Sequence, residues 1–206
     1  NSALVNLVPR FYDVTEGRIT IDGHDVRDIP QDQLREIVGI ALQEALLFQG
    51  DVRFNLKFGA QGVEDKQMFE AAKAADAHGF VTGLPETWGA PVARRGYNFS
   101  GGQRQRLSIA RTLTAAPKVL ILDDSTSALD VATESRVQAA IPELYEGITT
   151  IYIAQRISAV IDLDRIVLME NGEITAIGTH EELLASSQVY QEIYESQLGG
   201  VEEEKA

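Results

Sequence analysis

Asn98-Phe99-Ser100-Gly101-Gly102-Gln103-Arg104-Gln105-Arg106 opens the stretch whose reading decides the fold, and Leu107-Ser108-Ile109-Ala110-Arg111-Thr112-Leu113 continues it at helical spacing. It closes with Val119-Leu120-Ile121-Leu122-Asp123-Asp124 and Ser125-Thr126-Ser127-Ala128-Leu129-Asp130. Ser100 reads as an N-cap, and Gly101 and Gly102 behind it leave the first backbone N–H groups bare. A bare helix N-terminus at the positive end of the helix dipole is a natural phosphate site. The apolar run 119–122, led by Pro117 and ended by an acidic pair, reads as a buried parallel strand. Carboxylates at the C-terminal end of such a strand sit where open α/β sheets bind ligands, and are well placed to hold Mg²⁺.

Working outward, 206 residues with 44% hydrophobic content can bury one sizeable core, and the chain reads as one domain over 1–206. A formal net charge of −13 argues against a nucleic-acid surface, which needs clustered Lys and Arg. With no cysteine, neither a disulfide framework nor a thiolate metal site is available. No apolar run approaches the roughly 20 residues of a membrane span, and no signal peptide is visible. The chain opens without Met and inside a helix-like pattern, so it reads as a fragment of something longer. The acidic end, 199–206, reads as a solvated tail.

The central stretch resembles the ATP-binding cassette (ABC) family. Ser100-Gly101-Gly102-Gln103 looks like its SGGQ signature, Leu122-Asp123 like the end of a Walker B strand, and Ser127-Ala128-Leu129-Asp130 like its D-loop. The signature and the Walker B strand in order, with a helix and a short Pro-led turn between them, make the match specific. The implied fold is α/β, a P-loop NTPase-like parallel sheet core with antiparallel edge strands. A helical subdomain over about residues 46–115 would carry the signature.

The rest of the chain is consistent with that resemblance. Leu4, Leu7, Val8 and Phe11 predict a helix over 2–11, at the place of the helix after a phosphate loop. Ser2 then stands where the Mg²⁺-ligating Ser of G-K-[ST] belongs, or is a plain helix-start serine. Asn1 stands at the phosphate-binding Lys, and the Walker A glycines would precede residue 1. Residues 17–26 read as a hairpin turning at Asp22-Gly23. Residues 37–42 read as a second buried strand ending at Gln43, the Q-loop position, whose amide can touch Mg²⁺ or its water. The pattern from Leu47 to Leu56 looks like the exporter-type "L-F-x-G-x-I-x-x-N-I", so the segment after Gln43 is expected to meet a transmembrane domain.

Residues 63–77 read as a helix with Met68 and Phe69 as core, and His78 before Gly79 fits a helix C-terminus. Trp88 is either packing or partner contact. At 90–96, exporters carry an acidic T-E-V-G-E-R-G-like segment; here Ala90-Pro91-Val92-Ala93-Arg94-Arg95-Gly96 lacks both acids, which alters coupling or leaves solvated loop charges. An amphipathic helix over 131–145, a strand over 149–154, a hairpin turning at Asn171-Gly172 and a Thr179/Glu182 capping box complete the chain. His24 reads as a turn residue and His180 as part of a helix start.

Three positions depart from the family pattern. The general-base Glu after the Walker B Asp is Asp124, retracted by roughly 1.5 Å. The switch histidine of "A-H-R" is Gln155, which can donate to a γ-phosphate but cannot carry imidazole chemistry. Asn1 is the third. With an intact signature, the resemblance implies the degenerate-site subunit of a heterodimeric exporter, the Walker A loop missing. Asp124 and Gln155 are the weakened catalytic positions. ATP and Mg²⁺ are the cofactors, Mg²⁺ being held by Asp123 with Ser2 and Gln43. Ser100, Gly101, Gly102 and Gln103 complete the partner's nucleotide site, and Asp130 crosses to that partner. The partners are a second nucleotide-binding domain and the transporter's transmembrane domain, which alone meets the membrane. The place is the cytoplasmic face of the cell membrane, and ATP-driven dimer closure is the working stroke. The alternative is a non-catalytic or non-transport ABC module that binds ATP weakly or not at all.

Overall fold

The computed structural model describes residues 2–60 and 62–198, which divide into two compact units, Asn1–Ile153 and Ala154–Ala206. The readings on Asn1 and on the acidic tail 199–206 lie outside the described residues.

In the first unit, α1 is Ser2–Val5, shorter than the apolar spacing over 2–11 predicts. Pro9 offers no backbone donor and disfavours helical geometry at Val8. The chain leaves the helix through i→i−3 bonds, Leu7 to Leu4 and Val8 to Val5, and Arg10 turns it at φ 59°. β1 (Thr20–Ile21) and β2 (His24–Asp25) make the expected hairpin. Positive φ at Asp22 (49°) and Gly23 (82°) is what a type I′ turn requires. Then follow α2 (Gln31–Ile37), β3 (Val38–Ala41), β4 (Gly50–Asp51) and α3 (Val52–Lys57), the last capped by the Asp51 side chain. α4 is Asp65–Ala74, α5 is His78–Thr82, and β5 (Pro91–Val92) pairs antiparallel with β4. The unit ends with α6 (Gly101–Thr114), β6 (Val119–Asp123), α7 (Val131–Leu144) and β7 (Thr149–Ile153).

The expectation that His78 closes a helix is overturned, because His78 opens α5. α4 ends earlier, where Asp76 takes φ 53° and the Ala77 N–H reaches back to Ala72 O. That left-handed step satisfies the last carbonyls and lets a new helix start. Trp88 is packing: it is 8% exposed, with its ring 4.8 Å from Phe69 and 5.6 Å from His78.

β3, β6 and β7 form one parallel sheet with β6 in the middle, Val38 opposite Val119 and Val119 opposite Thr149. Every residue of β6 is buried. Leu120 and Leu122 join Met68, Leu107 and Leu113 in the larger core, while Val119 and Ile121 join Val5, Leu34 and Val38 in a second one. Successive side chains of a strand point to opposite faces, so an unbroken apolar run is what a sheet covered on both sides needs.

At Gly39 the sheet and α6 come very close. A Cβ there would stand 2.8 Å from Thr112 Cγ2 and 2.9 Å from Pro117 Cγ. Gly39→Ala is therefore expected to destabilise the unit by about 1–3 kcal/mol through overpacking. A lower urea midpoint at unchanged slope would register it; an unchanged midpoint would contradict the packing.

In the second unit, β8 (Ile166–Glu170) and β9 (Glu173–Gly178) pair antiparallel, turning on Asn171 (φ 51°) and Gly172 (φ 86°). α8 (His180–Ser186) carries the expected capping box between Thr179 and Glu182, and α9 is Gln188–Leu198. His180 Nδ1 lies 2.8 Å from the Tyr190 hydroxyl, so its role is local and structural. Ile157, Ile166, Leu183 and Tyr190 form this unit's core. No helix among the described residues is long and apolar enough to cross a membrane.

Candidate functional site

The C-terminal ends of β3 and β6 lie side by side and deliver Gln43, Asp123 and Asp124 to one place. Ser2 reaches it from the start of α1. Its Oγ donates to Asp123 Oδ1 at 2.8 Å across 121 residues of sequence. Gln43 Nε2 donates to Asp124 Oδ2 at 2.9 Å. Asp123 is 5% and Asp124 7% exposed, so two adjacent carboxylates are carried into the interior. Asp124 takes φ 47°, and its N–H is held by Ile153 O at 2.8 Å. A non-glycine residue in the left-handed region persists only where its surroundings impose it.

These groups fit a hard cation that shares its ligands with a substrate. A hydroxyl and a carboxylate already in contact are oxygen donors of the kind Mg²⁺ takes. Among the described residues no cluster of three His, Asp or Glu side chains gathers, so the remaining ligands would come from phosphate or water. Gln43 presents its amide nitrogen to Asp124. A carboxylate only accepts, so the amide nitrogen is the atom that faces Asp124, and the amide oxygen is left as the group that can meet an ion or its water.

The signature turn is built as its sequence requires. Ser100 Oγ accepts from the Gln103 N–H at 3.2 Å, and Gln103 Oε1 accepts from the Ser100 N–H at 2.9 Å, a reciprocal capping box. Gly101 and Gly102 occupy the first two helical positions, whose N–H groups have no acceptor within the helix. Gly102 is also a close approach, since a Cβ there would lie 3.3 Å from Ala128 O. Asp130 caps α7: its carboxylate accepts from the Thr133 N–H at 2.9 Å and the Thr133 hydroxyl at 2.8 Å. Those bonds hold its carboxyl below the usual carboxylate range.

Gln155 belongs to the second unit. Its side chain is exposed, and its carbonyl accepts from Gln197 Nε2 at 2.9 Å. Gln197 Oε1 accepts from the Ile157 N–H at 2.7 Å, so one amide holds both sides of this turn. The structure thus brings Ser2, Gln43, Asp123 and Asp124 together, and sets Ser100 to Gln103 against the loop that carries Asp130.

Three residues escaped the sequence reading. Asn98 ties the loop before the signature, accepting from the Ala93 N–H (2.9 Å) and donating to Pro91 O (2.8 Å). Asn55 is fully buried and bonds both backbone groups of Phe48, at 2.7 and 2.8 Å. Gln105 is 3% exposed and donates to Leu42 O at 3.3 Å, with Gln43 O at 3.5 Å. Its signal was present: a polar residue on the stripe of α6 that includes Ile109 breaks the apolar pattern.

Beside the site, a cavity of about 270 Å³ opens between the segment after Gln43 and the first turns of α6, lined by Glu44, Leu46, Arg95, Tyr97 and Arg104. Arg95 forms an ion pair with Glu44 at its rim. Phe48, Phe54 and Phe58 are 41%, 46% and 47% exposed, and the Phe48 and Phe58 rings lie 4.2 Å apart. Arg111 lies over the Phe48 ring at 5.5 Å, and burial lowers the affinity of its guanidinium for its proton.

Comparison with known proteins agrees with this geometry. Residues 1–127 match the family model described as "ABC transporter". An ATP-dependent lipid A-core flippase of Syntrophus aciditrophicus (strain SB) is 47% identical over 197 residues, covering 96% of this chain and 33% of that protein. A putative multidrug export ATP-binding/permease protein of Staphylococcus aureus (strain NCTC 8325 / PS 47) is 45% identical over 196 residues, covering 95% and 34%. The chain therefore spans about a third of the length of the relatives it matches. A solved bacterial Atm1-family ABC exporter with ATP bound superposes with a TM-score of 0.91 at 36% identity, over 96% of this chain and 35% of that one. With the signature, the Walker B carboxylates and the parallel sheet all in that arrangement, the chain belongs to the ABC transporter family, as an ATP-binding cassette domain similar to those of exporters.

Proposed function

We propose that this chain binds ATP with Mg²⁺ and powers export, as the degenerate-site half of a heterodimeric ABC transporter. The observation that carries the nucleotide reading is the Ser2–Asp123 hydrogen bond at 2.8 Å. It joins the two residues that the family pattern assigns to the cation and that share no local sequence. Asp123 and Ser2 would hold the ion; when bound, Mg²⁺ screens and orients the phosphate oxygens. Gln43 would act on water at the ion or at Asp124.

Hydrolysis at this site is expected to be weak. Asp124 sits at the base position with a short side chain engaged by Gln43, and Gln155 replaces the imidazole of the switch. Ser100, Gly101, Gly102 and Gln103 complete the nucleotide site of a second, different nucleotide-binding domain, toward which Asp130 also faces. The helical subdomain 46–115 presents that signature. The exposed Phe48, Phe54 and Phe58 support contact with a transmembrane domain, at the cytoplasmic face of the cell membrane. A net charge of −13 supports the absence of a nucleic-acid partner.

The test is titration of ATP with Mg²⁺ against the purified protein, with Asp123→Ala as control. Micromolar binding that weakens roughly 10- to 100-fold in the variant supports the site, the range seen when metal-site groups are removed. Absence of binding would favour the second reading, a non-catalytic module contributing only its signature, which the engagement of Asp124 by Gln43 also supports.

A further inference from the structure

We infer that Gln105, on the second turn of the signature helix α6, is a positioning residue for Asp124 and acts on it through Gln43. The inference rests on the reading of Ser2, Asp123 and Asp124 as a nucleotide site. β3 pairs with β6 only as far as Ala41 opposite Leu122, so Leu42 and Gln43 run on past the sheet ladder. Their carbonyls lean on α6 instead: Gln105 Nε2 donates to Leu42 O at 3.3 Å and comes within 3.5 Å of Gln43 O. Carbonyls only accept, which fixes the amide nitrogen on that side. Gln105 is 3% exposed, and a buried amide that lost these acceptors would cost the desolvation of its donor.

The backbone so held carries the Gln43 side chain to Asp124 Oδ2 at 2.9 Å. The same helix also approaches the loop that follows Asp124, where a Cβ on Gly102 would lie 3.3 Å from Ala128 O. Thr112 Oγ1 adds a bond from α6 to Ile40 O at 3.4 Å. A shift of α6, as when its N-terminus engages a partner's phosphates, therefore pulls on Leu42 and Gln43, and through the Gln43 side chain on Asp124. Withdrawal of Gln43 removes its hold on Asp124 Oδ2. Engagement of this chain's signature is thereby reported to this chain's own base position.

Amide hydrogen exchange on the full-length protein carrying this chain tests the link. Gln105→Leu keeps the volume and removes the donor. Without nucleotide, exchange of residues 42–45 should rise roughly tenfold, as expected for the loss of one hydrogen bond, with β6 unchanged. Residues 124–127 should also exchange faster, but only while Gln43 is present: in a Gln43→Ala background Gln105→Leu should leave them unaltered. A purely structural role would loosen 124–127 in both backgrounds and overturn the inference, as would unchanged exchange at 42–45. If Gln105→Leu fails to fold, Gln43→Ala alone must still speed exchange at 124–127 for the link to stand. With ATP and Mg²⁺, the wild type should change exchange at 42–45 and Gln105→Leu should not; an equal response in both also overturns it. A wild type that binds no ATP would refute the nucleotide site, while the nucleotide-free comparison still decides on Gln105.

Discussion

Asp124→Glu should raise ATP turnover at this chain's site about a hundredfold, the scale of rate lost when a reacting group is misplaced by ~1 Å. The added methylene carries the carboxylate outward by roughly 1.5 Å, toward where an attacking water would stand. It also moves the acceptor oxygen away from Gln43 Nε2, now 2.9 Å from Asp124 Oδ2, so the substitution lengthens the base and loosens its restraint together. The measurement is phosphate release by the assembled transporter with the partner domain's own base position disabled, so that only this site reports. Turnover that stays at the wild-type level would place the defect elsewhere, with Gln155→His as the next substitution, and would strengthen the non-catalytic reading. At φ 47° aspartate is the better tolerated residue, so the swap adds a small backbone cost that the turnover gain must outweigh.

Leu113→Ala has the other large expected effect, a loss of about 2–5 kcal/mol in stability. Leu113 is fully buried on α6, in the core that Leu120 and Leu122 enter from the sheet and Met68 from α4. Its carbonyl also accepts from the Tyr145 hydroxyl. Truncation removes transfer free energy and leaves a cavity, because close-packed neighbours relax only in part. Urea unfolding should show a lower midpoint with an unchanged slope. A loss under about 1 kcal/mol would mean that the core collapses onto the gap more freely than close packing allows. The consequence for function is indirect, since the same helix presents Ser100 to Gln103 and carries Gln105.

Much of this architecture was legible in one dimension. The run 119–122 announced a strand covered on both faces, and β6 is buried throughout. Ser100 and Gln103, like Thr179 and Glu182, announced capping boxes whose partners lie three residues away. Asp22-Gly23 and Asn171-Gly172 announced turns that need positive φ. Where the reading failed, a local rule was outvoted. Pro9 stopped a helix that apolar spacing extended to Phe11, and Asp76 closed α4 so that His78 opens α5.

What the order of residues determined for this protein is therefore everything written at short range: the helix caps, the turn chemistry, the buried strand and the motif spacing that marks an ABC domain. Hydrogen bonds and φ preferences act within a few residues, so their signals sit next to their consequences. Folding alone could decide that Ser2 meets Asp123 across 121 residues, that Gln43 turns its nitrogen to Asp124, and that Gln105 braces the end of β3. Those contacts depend on how a parallel sheet orders its strands and on how closely Gly39 and Gly102 let α6 approach, and neither is encoded in any local pattern.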